Sequence, residues 1–590
     1  MKRLMLPLLL AAAFAQADSV VLEEKFEGNL DLWVGQNGDG SVPYHATIVE
    51  DPLRPGNKVL RFDKPVFGGD LFTKQLYPEG KYKLTFDYLG TCGGNCGGVV
   101  GITSAFPGRD YWLAGTANGF PERIKDTKKW ESYDIDFKGR FDFHLALEQW
   151  VQSSGAGGDV YIDNIKLIAK GDAGAPAAAA APAVATIAAG DAPGPKGPQL
   201  VTYFTAWGKG QPGGGYWVKD IETSGSAKKL TVIEYAFGNV KDNKCVVGVD
   251  KAGEGAAADD YWDPIPKEHT LDGKEDKGDN GLFGHWNQLK QLKAKNPNLK
   301  VVISLGGWTW SKYFSDAALP ANRVAFVKSC VDAYIKGNVP GRDGKMINAA
   351  GVFDGFDIDW EHPGSAGAPG NIVRDEDTQN FTALLAEFRK QLDAVKPGYL
   401  LTIAAGAPSS VSSHFELAKI QKSLNWINLM TYDFAGPWSS VTAPLSTLHA
   451  GAKDAAGVSM SVKDYMEGGV PPQKIVVGVP FYGYGWVVSN TDNGGMYQTV
   501  KSKAKGTLEE GTAGYYQVKA MPGKVFRDEK TRAMWKLNGN EVWTYDDPQY
   551  LKEKIDFIKK QKLGGMMAWE LSGDRDGELV STIYDNLIKQ

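Results

Sequence analysis

The chain changes its hydrophobic rhythm once, at an alanine- and proline-rich stretch. Before it, over residues 18–170, apolar and polar positions alternate with a period of two. Tyr82, Leu84, Phe86 and Tyr88 interleave with Lys83, Thr85 and Asp87, and Phe141, Phe143, Leu145 and Leu147 repeat the pattern. Successive side chains on a strand face opposite sides, so this rhythm predicts half-buried strands. Glycine-rich turns separate them and no amphipathic helix intervenes, which predicts an all-β sandwich. Residues 171–198 then read GDAGAPAAAAAPAVATIAAGDAPGPKGP. Proline lacks the amide hydrogen that a helix needs, so this segment is expected to be an extended linker.

Beyond the linker, short apolar runs alternate with amphipathic stretches. Candidate strands fall at 199–206, 230–238, 300–305, 352–359, 400–405, 426–432, 474–480 and 564–569. Helical faces run from Arg323 to Ile335, Gln379 to Leu392 and Tyr550 to Lys560, with a final helix near Leu579 to Ile588. Eight strands with helices between them predict a (β/α)₈ barrel over residues 199–590, making the chain multidomain. The interval between the seventh and eighth strands is too long for one helix. Residues 487–545 are therefore expected to form a small α+β insertion that deepens a cleft at the catalytic end.

Composition narrows the function. The 590 residues hold 65 basic and 70 acidic side chains, a net charge of -5, with no basic block to track a phosphate backbone. Nucleic acid is not an expected partner. Lys2 and Arg3 precede an apolar run from Leu4 to Phe14, followed by Ala15-Gln16-Ala17. This predicts a signal peptide over residues 1–17 and a secreted, extracellular protein. The run is too short to span a bilayer, no later stretch is apolar enough to anchor the chain, and a monomer is expected. Export permits disulfides. Cys92 and Cys96 share a glycine-rich loop that suits a local bridge, whereas sequence does not fix the separation of Cys245 and Cys330. The seven histidines are scattered and complete no zinc site, so neither a metal nor a cofactor is expected.

The chemistry concentrates in Phe353-Asp354-Gly355-Phe356-Asp357-Ile358-Asp359-Trp360-Glu361-His362-Pro363. Asp357, Asp359 and Glu361 fall two apart on a strand, so their carboxyls emerge on one side. Phe353, Phe356, Ile358 and Trp360 mark that strand as buried. Acids are not buried unpaired without a use, and crowding keeps at least one of them protonated and able to donate. Asp354 is out of step with the row and is expected to face away. The motif ends the fourth candidate strand, where barrels place their chemistry.

Across residues 198–590 the chain resembles the glycoside hydrolase family 18 chitinases. Asp354 to Glu361 fits the family's DxxDxDxE pattern, Ser304-Leu305-Gly306-Gly307 its SxGG strand, and Met430-Thr431-Tyr432-Asp433 its sixth-strand motif. Trp569 sits where the family keeps a tryptophan beneath the reacting sugar, and the late insertion looks like that of the deep-cleft bacterial subgroup. The resemblance implies hydrolysis of β-1,4 bonds in chitin and chitooligosaccharides by a substrate-assisted, retaining route. It implies Glu361 as general acid, Asp359 and Asp357 as a proton-sharing pair, and Tyr432 as the hydrogen-bond donor to the substrate acetamide, with Asp433 assisting. Tyr203 and Ser304 would support the inner aspartate, Met430 would shape the site, and Trp207, Trp308 and Trp438 would line neighbouring subsites. Tyr482 is read as structural. Ser439 stands where many relatives have aspartate, which puts one polar subsite contact in doubt. The rivals are a non-hydrolytic lectin, disfavoured because Glu361 is present, and an endo-β-N-acetylglucosaminidase. In the amino-terminal part, Phe26-Glu27 and Val160 to Ile165 resemble jelly-roll carbohydrate-binding modules. Trp33, Trp112, Trp130 and Trp150 are candidate sugar platforms there, each better explained as core.

Overall fold

A computed structural model describes residues 18–35, 46–62, 69–92, 96–103, 111–116, 120–139, 142–149, 159–170, 190–248, 258–451 and 456–589. The expected signal peptide, Trp150 and residues 171–189 of the expected linker lie outside them. The chain divides into two units, residues 1–183 and 184–590.

The first unit is a sandwich of two six-stranded sheets. One orders Glu131–Gly139, Gly80–Gly90, Val160–Lys170, Lys58–Phe62 and Ala46–Glu50, with Ser19–Glu24 also paired to Val160–Lys170. The other orders Trp33–Gly35, Gly69–Thr73, His144–Gln149, Gly98–Thr103, Tyr111–Gly115 and Glu122–Arg123. The alternation that predicted the strands also builds the core: Tyr82, Leu84, Phe86 and Tyr88 are buried together with Phe143, Leu145 and Leu147. Trp33 belongs to that core. The indole nitrogen of Trp130 donates to Asp51 Oδ1 at 3.0 Å, and the Arg54 guanidinium covers its ring at 4.1 Å. The backbone places Trp112 on the strand Tyr111–Gly115. Cys92 and Cys96 form a disulfide.

The second unit is a closed parallel barrel of eight strands: β1 (Gln199–Thr205), β2 (Val232–Lys241), β3 (Lys300–Gly306), β4 (Gly355–Asp359), β5 (Leu400–Gly406), β6 (Trp426–Met430), β7 (Ile475–Pro480) and β8 (Gly565–Trp569). Each pairs with the next, and β1 closes the ring against both β8 and β2. The helices follow the amphipathic stretches, at Arg323–Cys330 and its continuation Val331–Ile335, Asp377–Val395 and Pro548–Gln561. The last of these starts where sequence rules place a start: Asp547 caps the Tyr550 amide at 2.9 Å and proline occupies the first turn. Among the described residues no helix is long and apolar enough to cross a membrane.

Two expected boundaries move. Residues 190–198 were expected in the linker, but they run along the barrel. Ala192 N donates to Lys422 O at 2.7 Å, and Asn425 Nδ2 donates to Pro193 O at 2.9 Å. The insertion begins at Tyr482 rather than 487. The strand Tyr482–Val488 leaves β7 at once and pairs with Val500–Lys503, Thr512–Gly514 and Glu541–Tyr545, which continues to Met534–Asn538 and Lys524–Arg527. Alternation through Tyr482, Tyr484 and Trp486 buries these rings and sets the earlier start. A second disulfide joins Cys245, on the short strand Lys244–Val246, to Cys330.

Candidate active site

β4 delivers the acidic row into the barrel. Exposure rises along it, from 0% at Asp357 to 4% at Asp359 and 15% for the Glu361 side chain, so only the last acid reaches the cleft. Asp354 faces away as expected. Its carboxylate accepts the Val301 amide at 2.9 Å and pairs with Lys293 at 2.7 Å. The glycines of the Ser304-Leu305-Gly306-Gly307 motif make room. A Cβ on Gly306, whose φ is +107°, would lie 2.3 Å from the Asp359 carbonyl oxygen.

Asp357 is held by four donors. Tyr203 and Ser304 donate to Oδ2 at 2.9 and 2.8 Å, Thr402 to Oδ1 at 2.8 Å, and Asn428 Nδ2 approaches Oδ1 at 3.4 Å. Burial raises its pKa while these donors oppose the rise. Asp359 differs: its Oδ1 is buried and has no hydrogen-bond partner among the described residues. Burial first, then the charges of Glu361, Asp357 and Glu234, push its pKa well above the carboxylate range. Burial and the Asp433 charge raise Glu361 to about 8, so it carries a proton at neutral pH. The backbone of Glu361 is pinned on both sides. Its amide donates to Ser311 Oγ and its carbonyl accepts from Asn371 Nδ2, each at 2.9 Å.

The sixth-strand residues line the site two strands further round the barrel. Tyr432 is buried, with its hydroxyl 3.9 Å from Met567 Sδ, a weak contact. Asp433 adopts φ +60° and accepts a short hydrogen bond from the Tyr482 hydroxyl. Burial raises Asp433 to about 6, against the pull of Tyr482 and Tyr484. Trp569, half-buried, forms an aromatic floor: its ring centre lies 5.1 Å from Tyr203, 6.4 Å from Trp207 and 5.7 Å from Phe237, with Phe237 nearly parallel. Met430 packs against the same cluster. Trp207, Trp308 and Trp438 are each at least half exposed, which is unusual for rings of this size.

The catalytic and subsite candidates of the barrel unit thus gather at the carboxyl ends of the strands or in the barrel interior beneath them, whereas Asp354 and the sandwich tryptophans lie elsewhere. Sequence reasoning did not find Thr402, Asn428, Tyr484 or Glu234, and it read Tyr482 as structural where the structure makes it the partner of Asp433. The one available signal was Glu234, a single acid inside the apolar run Val232-Ile233-Glu234-Tyr235-Ala236-Phe237.

Comparison with known proteins addresses the barrel unit as a whole. Residues 199–574 match the family model described as Glycosyl hydrolases family 18. Chitinase A1 of Niallia circulans is 36% identical over 433 residues, covering 66% of this chain and 58% of that protein. The chain thus spans little more than half the length of that relative. Chitinase C of Streptomyces lividans is 34% identical over 465 residues, 76% of this chain and 69% of that one. Among solved structures, the catalytic domain of the psychrophilic chitinase B from Arthrobacter TAD20 superposes with a TM-score of 0.63 at 39% identity, covering 66% of this chain and 95% of that domain.

Proposed function

The chain belongs to glycosyl hydrolase family 18, and from that premise we propose that it is a secreted chitinase. It would cleave β-1,4 bonds between N-acetylglucosamine units by a retaining, substrate-assisted route. The observation that carries the reading is the acidic row itself, which ends in one cleft-facing acid above a buried aspartate with one oxygen unpaired among the described residues.

Glu361 gives its proton to the glycosidic oxygen as the bond to the anomeric carbon breaks. The substrate's own acetamido oxygen forms the new bond to that carbon, giving an oxazolinium ion and no covalent enzyme intermediate. Asp359 accepts a hydrogen bond from the acetamido N–H and offsets the positive charge. Asp357 shares a proton with Asp359, which frees Asp359 to turn toward Glu361. The Tyr432 hydroxyl holds the acetamido oxygen in line for attack, and Asp433 keeps Glu361 basic enough to retain its proton. Glu361 then removes a proton from water, which attacks the anomeric carbon from the face the leaving group vacated, breaking the bond to the acetamido oxygen and retaining configuration. Trp569 carries the reacting sugar, Met430 shapes its pocket, and Trp207, Trp308 and Trp438 stack on neighbouring units of the polymer.

The test is product analysis on chitohexaose beside Glu361→Gln, with the first-formed anomer read by proton NMR. Equal rates on a β-1,4 glucan oligomer, which lacks the acetamide, sink the mechanism. Cleavage of a high-mannose glycoprotein in preference to chitohexaose moves the substrate to N-glycans. Export is tested by the amino-terminal sequence of the mature protein, expected to begin near Asp18. The sandwich is read as a tether to solid chitin. Its removal should weaken binding to the solid more than hydrolysis of soluble oligomers, and equal losses argue against it.

A further inference from the structure

The barrel interior holds a further acid that the mechanism above leaves unused. Glu234 sits in the middle of β2, in register with Tyr203 of β1 and Val302 of β3. Val232 and Ala236, two residues to either side and on the same face, pack inside the barrel with Tyr203, Val302 and Met567, so the Glu234 side chain also points inward. It is fully buried.

Glu234 and Asp357 are served by the same two donors. Asn428 Nδ2 lies 2.8 Å from Glu234 Oε1 and 3.4 Å from Asp357 Oδ1, while Thr402 Oγ1 lies 3.4 Å from the first and 2.8 Å from the second. Thr402 has one proton for two carboxyls. The Trp426 indole fixes the Asn428 amide by donating to its Oδ1 at 3.0 Å, so the NH₂ must face the acids. Glu234 Oε2 has no hydrogen-bond partner among the described residues. The titratable groups facing Glu234 from the surrounding strands are Tyr203, Asp357, Asp359 and Tyr432. None is a cation. Burial and the Asp357 charge both drive the Glu234 carboxyl toward its neutral form, against the pull of Tyr203, Asn428 and Thr402. Two buried carboxylates with shared donors and no countercharge are not sustained together.

We propose that Glu234 and Asp357 hold one proton between them, and that Glu234 is thereby a positioning residue acting through Asp357 on Asp359. This rests on the reading of Asp357 and Asp359 as the proton-sharing pair. One negative charge is spread over two carboxyls beneath Asp359. Asp357 therefore grips the proton it shares with Asp359 less tightly, and Asp359 is freer to turn toward Glu361. If glutamine replaces Glu234, the whole charge sits on Asp357 and the shared proton stays there.

Glu234→Gln, nearly isosteric, separates the two parts of the proposal. A carboxyl that keeps its proton in the native state and loses it on unfolding makes stability fall as pH rises above the unfolded value. The Tm advantage of E234Q over wild type should therefore widen from pH 5 to pH 8. A constant difference overturns the shared proton, whatever the activity. On chitohexaose, kcat should fall about tenfold, the effect of one pKa unit on where a proton resides, with KM within twofold because Glu234 touches no sugar. An unchanged kcat, or a loss confined to KM, overturns the positioning role. Should E234Q not fold, Glu234→Asn serves for the same Tm comparison. If wild type leaves chitohexaose intact, the functional reading fails while the Tm measurement still reports the proton.

Discussion

Two regions of the barrel unit bury carboxyls and neutralise them by opposite means. Asp546, which follows the last insertion strand, faces Lys554 of the helix Pro548–Gln561 at 2.7 Å, with Ser446 Oγ also 2.7 Å from the lysine nitrogen. Both side chains are essentially unexposed. Inside the barrel, Glu234, Asp357 and Asp359 are as deeply buried, and hydroxyls and an amide stand where Asp546 has a lysine. A fixed cation compensates a buried charge permanently and locks its proton state. Neutral donors leave the proton as the compensating charge, free to move within the set. The first arrangement fastens an insertion to its barrel, and the second keeps acids ready to donate.

The largest break in this comparison is Glu361→Gln. Losing the proton donor should cost at least ~10²–10⁴-fold in kcat, while affinity for chitotetraose measured by calorimetry stays within about threefold, since a neutral carboxyl and an amide differ little in size. Next is Lys554→Met, which leaves Asp546 buried and uncompensated. Urea unfolding should show about 3–5 kcal/mol of lost stability, with the folded fraction turning over at the wild-type rate. Replacing Asp546 by leucine as well should restore most of it.

The pH dependence sharpens the contrast. Glu361 is raised to about 8 in the folded protein, well above an unfolded glutamate. The native state therefore holds a proton that the unfolded chain has lost, and stability falls as pH rises from about 5 to about 8. Glu361→Gln should flatten that fall in Tm. The alkaline limb of kcat should pass through about 8, and Asp433→Asn, which removes a charge that helps hold the proton on Glu361, should move the limb to lower pH. The smallest effect belongs to the cleft walls. Trp438→Ala should cost about 1 kcal/mol of stacking, seen as a several-fold rise in KM for hexamers with kcat on the shortest substrates unchanged.

Much of this architecture was legible because period and chemistry coincide. Asp357, Asp359 and Glu361 fall on alternate positions of an apolar strand, and that spacing alone predicts one face. The sandwich was legible for the same reason, at Tyr82 to Tyr88. Residues that act through three-dimensional neighbours left no such mark. Thr402 and Asn428 are ordinary polar residues on β5 and β6, and only barrel closure brings them to Asp357 and Glu234. Tyr482 could not be linked to Asp433 before the insertion was known to start at Tyr482 itself. The linker boundary failed because alanine and proline content reports a lack of helix, whereas Ala192 and Pro193 are ordered by backbone groups of the barrel.

The bridge between Cys245 and Cys330 has a practical consequence. β2 runs into the short strand Lys244–Val246, which this bond buckles to the helix Arg323–Cys330 leading toward β4. Expression in a compartment that keeps thiols reduced leaves that buckle unmade, at the far end of the strand that carries Glu234. Rates from two preparations are comparable only when both have the same oxidation history.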